Sequence, residues 1–261
     1  MLVDDGSTDN TREITEQWQR ENTIEIIYLF KENGGMHTAH NLAYQNINTE
    51  LNVCIDSDDW LPENAVELIL NKWKNAAAKE NLAGIIGLDA HADGRLVGTA
   101  FPENVLRGPF FDTTKKHKVT GDKKFVLRTD IVRKYPAYPE YPGEKLVALG
   151  ILYLMIEKDF DYLFSNEVYC IVEYQPDGSS NSIFRQYKQS PRGFAYERIQ
   201  HLKLDNDFED RFRNAVHLVS SAIFAKDYRL LFKSNKTLMV LCALPFGVLL
   251  NLFIRYKIKN A

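Results

Sequence analysis

Cysteine is scarce in this chain of 261 residues: three, at Cys54, Cys170 and Cys242, far apart and odd in number. They give neither a disulfide framework nor the paired spacing of a structural zinc site, and they point to a reducing compartment. Strong charge of either sign is missing too. The formal net charge is −3, so no bulk attraction to nucleic acid is implied. No internal repeat or low-complexity tract interrupts the sequence. The residues after Met1 are charged and turn-forming, so no secretory leader is expected there. What the chain does have is apolar mass: 45% hydrophobic residues, with 13 Tyr and 15 Phe, which argues against disorder. Its length suits one globular domain with an appendage, or two small domains.

The densest chemical signal is Cys54-Ile55-Asp56-Ser57-Asp58-Asp59-Trp60-Leu61-Pro62. Three carboxylates follow the apolar-rich run Leu51 to Ile55 and precede a Pro-Glu helix start. A strand ending in clustered Asp places acid groups at the carboxyl edge of a sheet, where open α/β folds bind ligands. Carboxylates this close repel one another unless they share a cation. The bland alternative is a solvated turn with a helix N-cap. A second acidic turn, Val3-Asp4-Asp5-Gly6-Ser7-Thr8-Asp9, also follows apolar residues and precedes a helical pattern, which points both at one crevice.

The elements expected along the chain alternate. A helix runs from Thr11 to Arg20 behind an Asp9 cap, with Ile14 and Trp18 on one face. A strand follows from Ile24 to Phe30, then a helix from Thr38 to Gln45. The strand from Leu51 to Ile55 leads to a helix opened by Pro62 and ending at Lys74. Ala83 to Leu88 is a strand, and Asp93-Gly94 a hairpin turn before Leu96 to Phe101. This order indicates a mostly parallel α/β sheet. Further on, Pro109 to Thr120 reads as loop, Glu144 to Glu157 as helix, and Phe184 to Leu204 and Asp207 to Lys226 as two helices. Residues 237–254 carry no charge at all and are flanked by lysines and arginines. This tail is long enough to lie in a bilayer surface, to span it, or to pack as a buried helix.

Three segments together resemble the GT-A-fold, family 2 glycosyltransferases. They are Val3 to Asp9, Lys31-Glu32-Asn33-Gly34-Gly35, and Asp56-Ser57-Asp58-Asp59-Trp60-Leu61. The similarity covers roughly residues 1–174 and implies an α/β catalytic domain over 1–175. A helical extension over 176–226 and an apolar, membrane-associating segment over 227–261 would follow. The family's activity is inverting transfer from a nucleotide sugar, here a UDP-sugar, to a hydroxyl acceptor, often with Mg²⁺ or Mn²⁺. The acceptor expected is a glycan or lipid-linked precursor in cell-surface or cell-wall polymer synthesis, reached from the cytoplasmic face of the membrane.

By the same resemblance, Asp5 hydrogen-bonds the nucleobase, while Asp4 and Asp9 do turn and cap chemistry. Asp58 is the better metal ligand, and Asp56 holds the ribose or shares the ion. Asp59 either joins them or caps the following helix. Asn33, Gly34 and Gly35 lie near the sugar diphosphate, where glycine amides and a helix start can receive phosphate. His40 stands where many relatives carry a basic residue and would donate to phosphate, unless His37 and His40 are ordinary surface or N-terminal helix residues. Glu144, in Tyr141-Pro142-Gly143-Glu144-Lys145, is the candidate general base, although Lys145 occupies a place where a second acid is often found. The strand and helix that precede the first acidic turn in relatives have no counterpart before Asp4. The expectation is therefore of a fragment, a misassigned start or an altered paralogue. The alternatives are a metal-dependent nucleotidyltransferase or phosphohydrolase using the same carboxylates, and an inactive remnant that only binds.

Overall fold

The computed structural model describes residues 1–173, 183–204 and 207–260. They form two compact units: Met1–Asn46 with Ala137–Ile151 and Gly178–Ala261, and Ile47–Pro136 with Leu152–Asp177.

The first unit begins with a parallel β-α-β element. Strand β1 (Leu2–Asp4) pairs with β2 (Tyr28–Phe30) across helix α1 (Thr11–Glu21), with Asp4 opposite Phe30. Helix α1 starts where Asp9 Oδ1 accepts the Thr11 N–H, and ends at Asn22, which takes a left-handed conformation and bonds the Trp18 carbonyl. Its expected apolar face is not its buried one: Ile14 and Trp18 stay exposed, and Thr15 is buried. The strand expected from Ile24 shrinks to Tyr28–Phe30, since only these residues find a ladder partner. Helix α2 (Met36–Asn46) follows.

The second unit holds a five-stranded sheet in the order β3-β6-β4-β7-β5. Its strands are β3 (Leu51–Val53), β4 (Leu82–Ala90), β5 (Arg107–Gly108), β6 (Lys123–Arg128) and β7 (Asp161–Ile171). The mostly parallel arrangement expected from the element order is corrected here. Strand β6 runs antiparallel to both β3 and β4, and β5 antiparallel to β7, leaving only β4 and β7 parallel neighbours. The α/β class stands, with a mixed sheet. Helix α3 (Ala65–Lys74) begins three residues later than Pro62, whose carbonyl accepts the Ala65 N–H. Ile69 and Trp73 pack with Leu82, Ile85, Val126 and Tyr169 in one core. The Asp93-Gly94 turn is present, but the strand after it reduces to one bridge, Ala90 to Leu96. Helix α4 (Phe110–His117) replaces an expected loop; the Phe111 N–H at its start donates to Glu157 Oε2. Short α5 (Thr129–Val132) follows β6, and α6 (Gly150–Ile156) covers only the second half of the helix expected from Glu144.

The C-terminal part of the first unit is helical. The expected helix from Phe184 breaks at Ser190-Pro191 into α7 (Ile183–Gln189) and α8 (Pro191–Leu204). Proline is tolerated at a first helical position but not in an interior. Helix α9 (Phe208–Ala225) is capped by Asp207, whose carboxylate accepts from the Glu209 and Asp210 N–H groups. Helices α10 (Thr237–Cys242) and α11 (Leu244–Lys259) divide the uncharged tail. Among the described residues no helix is long and apolar enough to cross a membrane. Ala195, Ile199, Leu218, Val219, Leu230 and Val240 belong to one core shared by α8, α9 and the segments beyond them.

Candidate functional site

Strand directions gather the chemistry of the second unit. Strands β3 and β4 are both antiparallel to β6 and so point the same way, and β7 is parallel to β4. The carboxyl ends of all three therefore meet the amino end of β6 at one edge. Asp56, Asp58 and Asp59 follow β3, Asp89 closes β4, Lys124 opens β6, and Cys170 stands opposite Asp89 on β7. An acid cluster at such an edge is where an open α/β sheet takes its ligand.

The carboxylates there divide sharply. Asp59 is held: its Oδ1 accepts the Glu173 N–H at 3.3 Å, and its Oδ2 faces Lys124 Nζ at 3.8 Å. The Asp59 N–H closes the turn on the Asp56 carbonyl at 3.0 Å, and Trp60 bridges Ile171. Asp59 thus ties its turn to the end of β7 and does not cap α3, whose N-cap residue is Asn64. Asp56 and Asp58 are exposed, and among the described residues neither carboxylate has a hydrogen bond or ion pair.

Beneath them, Asp89 is buried and its Oδ1 has no hydrogen-bond partner. Burial pushes the Asp89 carboxyl up to about 6, against the pull of Lys124. Lys124 is itself desolvated, but Asp89, Cys170, Asp56 and Asp59 together hold its ammonium above the usual lysine range. Burial also raises the Cys170 thiol to about 11, so it is an un-ionised neighbour rather than a nucleophile.

A hard divalent cation takes oxygen ligands, and the oxygens open at this edge are those of Asp56 and Asp58. Among the described residues no group of three or more His, Cys, Asp or Glu could hold an ion. Mg²⁺ does not require one, because it is commonly bound by one or two carboxylates, water and substrate phosphates. Asp56 and Asp58, with no hydrogen bond or ion pair among the described residues, are the two carboxylates open to such a role.

The acidic turn of the first unit is built the opposite way. Asp4 is buried, with Oδ1 accepting the Ser7 N–H at 2.7 Å and Oδ2 the Tyr28 hydroxyl at 2.6 Å. Burial raises its pKa, but these hydrogen bonds outweigh it and hold the carboxyl below its ordinary value. Asp5 Oδ1 accepts from Lys31 Nζ at 2.7 Å and the Gly34 N–H at 2.9 Å, and Oδ2 accepts the Gly35 N–H at 2.7 Å. Against a burial penalty, the same contacts lower its pKa. Asn33 Nδ2 donates to the Asp5 carbonyl at 2.8 Å. The glycine amides expected to be open to phosphate are thus taken by Asp5, and one Oδ2 lone pair is left for any outside donor.

Glycine is required at both ends of this clasp. Gly6 has φ +82, and a Cβ there would stand 2.7 Å from the Asn33 nitrogen. Gly35 has φ +93, and a Cβ would lie 1.9 Å from the Lys145 carbonyl oxygen.

Burial sets the state of the histidines and of Glu144 in this unit. His37 and His40 are both buried, so neither is a surface residue. Desolvation takes the His40 imidazole down to about 4, and its Nδ1 pairs with the Tyr44 hydroxyl at 3.1 Å. At neutral pH His40 is uncharged, so what it has to offer is a neutral ring N–H and not a cation. Glu144 is buried, and its Oε2 accepts the N–H groups of Arg192 at 2.8 Å and Gly193 at 3.0 Å. Its Oε1 faces the Arg192 guanidinium at 3.6 Å. Burial raises the Glu144 pKa, and these contacts pull it back only in part. The geometry is that of an anion closing the first turn of α8, which favours holding a helix over taking a proton.

Sequence reasoning missed Asp89 and Lys124. A signal was present for Asp89: an acid inside the apolar run 82–90 is a buried charge in need of a partner.

Residues 1–93 match the family model described as glycosyl transferase family 2. The glycosyltransferase GlyA of Streptococcus pneumoniae is 35% identical over 72 residues, 28% of this chain, and the chain spans only 10% of its length. The putative teichuronic acid biosynthesis glycosyltransferase TuaG of Bacillus subtilis is 25% identical over 223 residues, 83% of each chain. The S. aureus TarS 1-349 structure in complex with UDP-GlcNAc superposes with a TM-score of 0.54 at 14% identity, covering 99% of this chain and 81% of that one. At that identity the likeness speaks for the fold alone.

Proposed function

Proceeding from a chain that carries the family 2 glycosyl transferase segment on a GT-A-like fold, we propose that it moves a sugar from a UDP-sugar to a hydroxyl acceptor, with inversion, in assembling a cell-wall polymer. The observation that carries this reading is the pair of exposed carboxylates, Asp56 and Asp58, without partners among the described residues, at the carboxyl edge of the mixed sheet. Two likenesses support the finer terms: TuaG is named for teichuronic acid biosynthesis, and TarS is described in complex with UDP-GlcNAc.

Asp58 is the principal ligand for Mg²⁺ or Mn²⁺, and Asp56 shares the ion or holds the ribose. When bound, such an ion neutralises charge developing on a departing diphosphate. The protein's own contribution is rigidity. Asp59, fixed by the Glu173 amide and by Lys124, keeps the turn in shape while its two neighbours stay free. Lys124 offsets part of the mutual repulsion of the acids gathered at this edge. Inversion requires the acceptor oxygen to attack the anomeric carbon from the face opposite the nucleotide.

The test is product analysis with a panel of UDP-sugars and Mn²⁺. Free UDP, with a glycoside of inverted anomeric configuration, is expected. Release of pyrophosphate or phosphate would move the same carboxylates to a nucleotidyltransferase or phosphohydrolase. No turnover and no metal-dependent UDP binding by calorimetry would leave the proposal without support.

A further inference from the structure

Helix α11 has two opposite faces, one packed on α9 and one that the described residues leave largely open, with Phe184 of α7 edge-on to Phe253 at its margin. Gly247, Asn251 and Ile254 are buried, and this stripe lies against α9. A Cβ at Gly247 would fall 2.3 Å from Val219 Cβ, so the two helices approach as closely as a glycine permits. Asn251 Nδ2 donates to the Ser220 carbonyl at 3.2 Å. Half a turn away stand Leu249, Leu252, Phe253 and Tyr256, at the i, i+3, i+4, i+7 spacing that a soluble helix normally turns inward. They are 64%, 57%, 48% and 65% exposed. On α10, Leu238 is exposed as well.

Along the chain segment that carries this stripe, the charge has one sign. Residues 228–261 contain six basic residues (Arg229, Lys233, Lys236, Arg255, Lys257 and Lys259) and no Asp or Glu. Beside α11, a cleft of about 330 Å³ is lined by Lys188, Arg255, Ile258 and Lys259. Three of those four residues are cationic, which suits a phosphate-bearing headgroup. A second copy of this chain would bring the same positive charge to the contact and be repelled. A spanning helix is not available among the described residues.

We infer that α10 and α11 form a membrane-surface foot: the Leu249–Tyr256 stripe enters the interface of an anionic bilayer while Lys188, Arg255, Lys257 and Lys259 hold its headgroups. Apolar burial and electrostatic attraction add in such an arrangement, and neither alone anchors firmly. The inference does not depend on sugar transfer, since it concerns a different surface and has its own readout.

The experiment is flotation of the full chain with vesicles of equimolar phosphatidylglycerol and phosphatidylcholine, against phosphatidylcholine alone. Binding is expected to the first and not the second, and to fall steeply at about 1 M salt, where the Debye length is about 3 Å. Leu249→Ser with Leu252→Ser should lower the partition coefficient about tenfold per leucine. Lys257→Gln with Lys259→Gln should lower it about fivefold per lysine. All four positions are exposed, so an unchanged melting temperature and far-ultraviolet circular dichroism are expected of both variants. Equal binding to neutral vesicles would overturn the assignment of an anionic surface. Displacement by millimolar inorganic phosphate would make the cleft a free-phosphate site instead. Absence of vesicle binding would sink the inference, and concentration-dependent dimers abolished by the leucine variant would show that a second copy covers the stripe.

Discussion

The two acidic turns of this protein look alike in sequence and are opposites in structure. Val3 to Asp9 and Asp56 to Asp59 each follow an apolar stretch and each crowd acids before a helix. In the first, the carboxylates are spent inside the fold: Asp4 on Ser7 and Tyr28, Asp5 on Lys31, Gly34 and Gly35. In the second, only Asp59 is spent, and Asp56 and Asp58 face solvent without partners among the described residues. A carboxylate already holding its donors contributes to the fold; one left unpaired keeps its oxygens for solvent or a ligand. Acid responses separate the turns further. Asp4 and Asp5 have depressed pKa values, so their stabilisation is present above the ordinary carboxyl range and is lost as pH falls through their folded values.

The sharpest way to break this comparison is Asp58→Ala. The stability change should stay within about 0.5 kcal/mol, because an exposed side chain without partners is removed. Sugar transfer should fall about a thousandfold, the loss of roughly 4 kcal/mol of transition-state stabilisation by a bound cation. Unfolding by denaturant and a UDP-release assay measure both quantities. A destabilised but active variant would place the second turn in the same class as the first.

Asp5→Ala should give the mirror image. It strands the Gly34 and Gly35 N–H groups and the Lys31 ammonium, and should cost about 3 kcal/mol of stability by denaturant unfolding. If it unfolds nothing, the clasp is not what orders residues 33–35. Asp89→Asn has a smaller effect of opposite sign, dependent on pH. With a folded pKa of about 6, above the ordinary carboxyl value, ionised Asp89 destabilises the native state as pH rises through that window. The substitution should stabilise the protein at pH 7 by about 1 to 3 kcal/mol and leave it unchanged near pH 4. A melting series from pH 4 to 8 reads the window directly, and a benefit independent of pH would remove the electrostatic explanation.

The α/β class was legible because the parallel unit of β1, α1 and β2 announces itself through alternating patterns, and because acids clustered after Leu51–Val53 mark a strand end. The mixed sheet was not. Lys123–Arg128 reads the same in either direction, and only its pairing with Leu51–Val53 and Leu82–Ala90 fixes it antiparallel. That Asp56 and Asp58 stand exposed just past a strand end was legible, because the apolar run of Leu51 to Ile55 stops there. His40 was not: His37 and His40 could face solvent or core, and the face is decided by a segment nearly a hundred residues on. Tyr138 and Glu140 close over α2, with Asn41 donating to the Tyr138 carbonyl at 2.9 Å and the Tyr138 ring edge-on to His40 at 6.3 Å. A contact at that separation leaves no local periodicity to read.

Glu144 is the finest test of the same distinction between spent and free carboxylates. If it serves as a proton acceptor, Glu144→Gln should lower turnover a hundredfold or more, as general bases contribute about 10² to 10⁴. Its geometry says otherwise. The amide oxygen of glutamine can still accept the Arg192 and Gly193 N–H groups, so the first turn of α8 stays closed. The raised pKa of Glu144 means that the native state already favours the neutral carboxyl relative to the unfolded chain, and glutamine imitates that neutral form. The expected result is therefore a stability change of less than about 1 kcal/mol, with turnover and its pH profile little altered. Glu144→Ala, which leaves both N–H groups without a partner, should instead cost about 1 to 2 kcal/mol. A pH profile that loses its acidic limb in the glutamine variant would restore Glu144 to the chemistry and break the rule that a carboxylate holding its own fold is unavailable to a substrate.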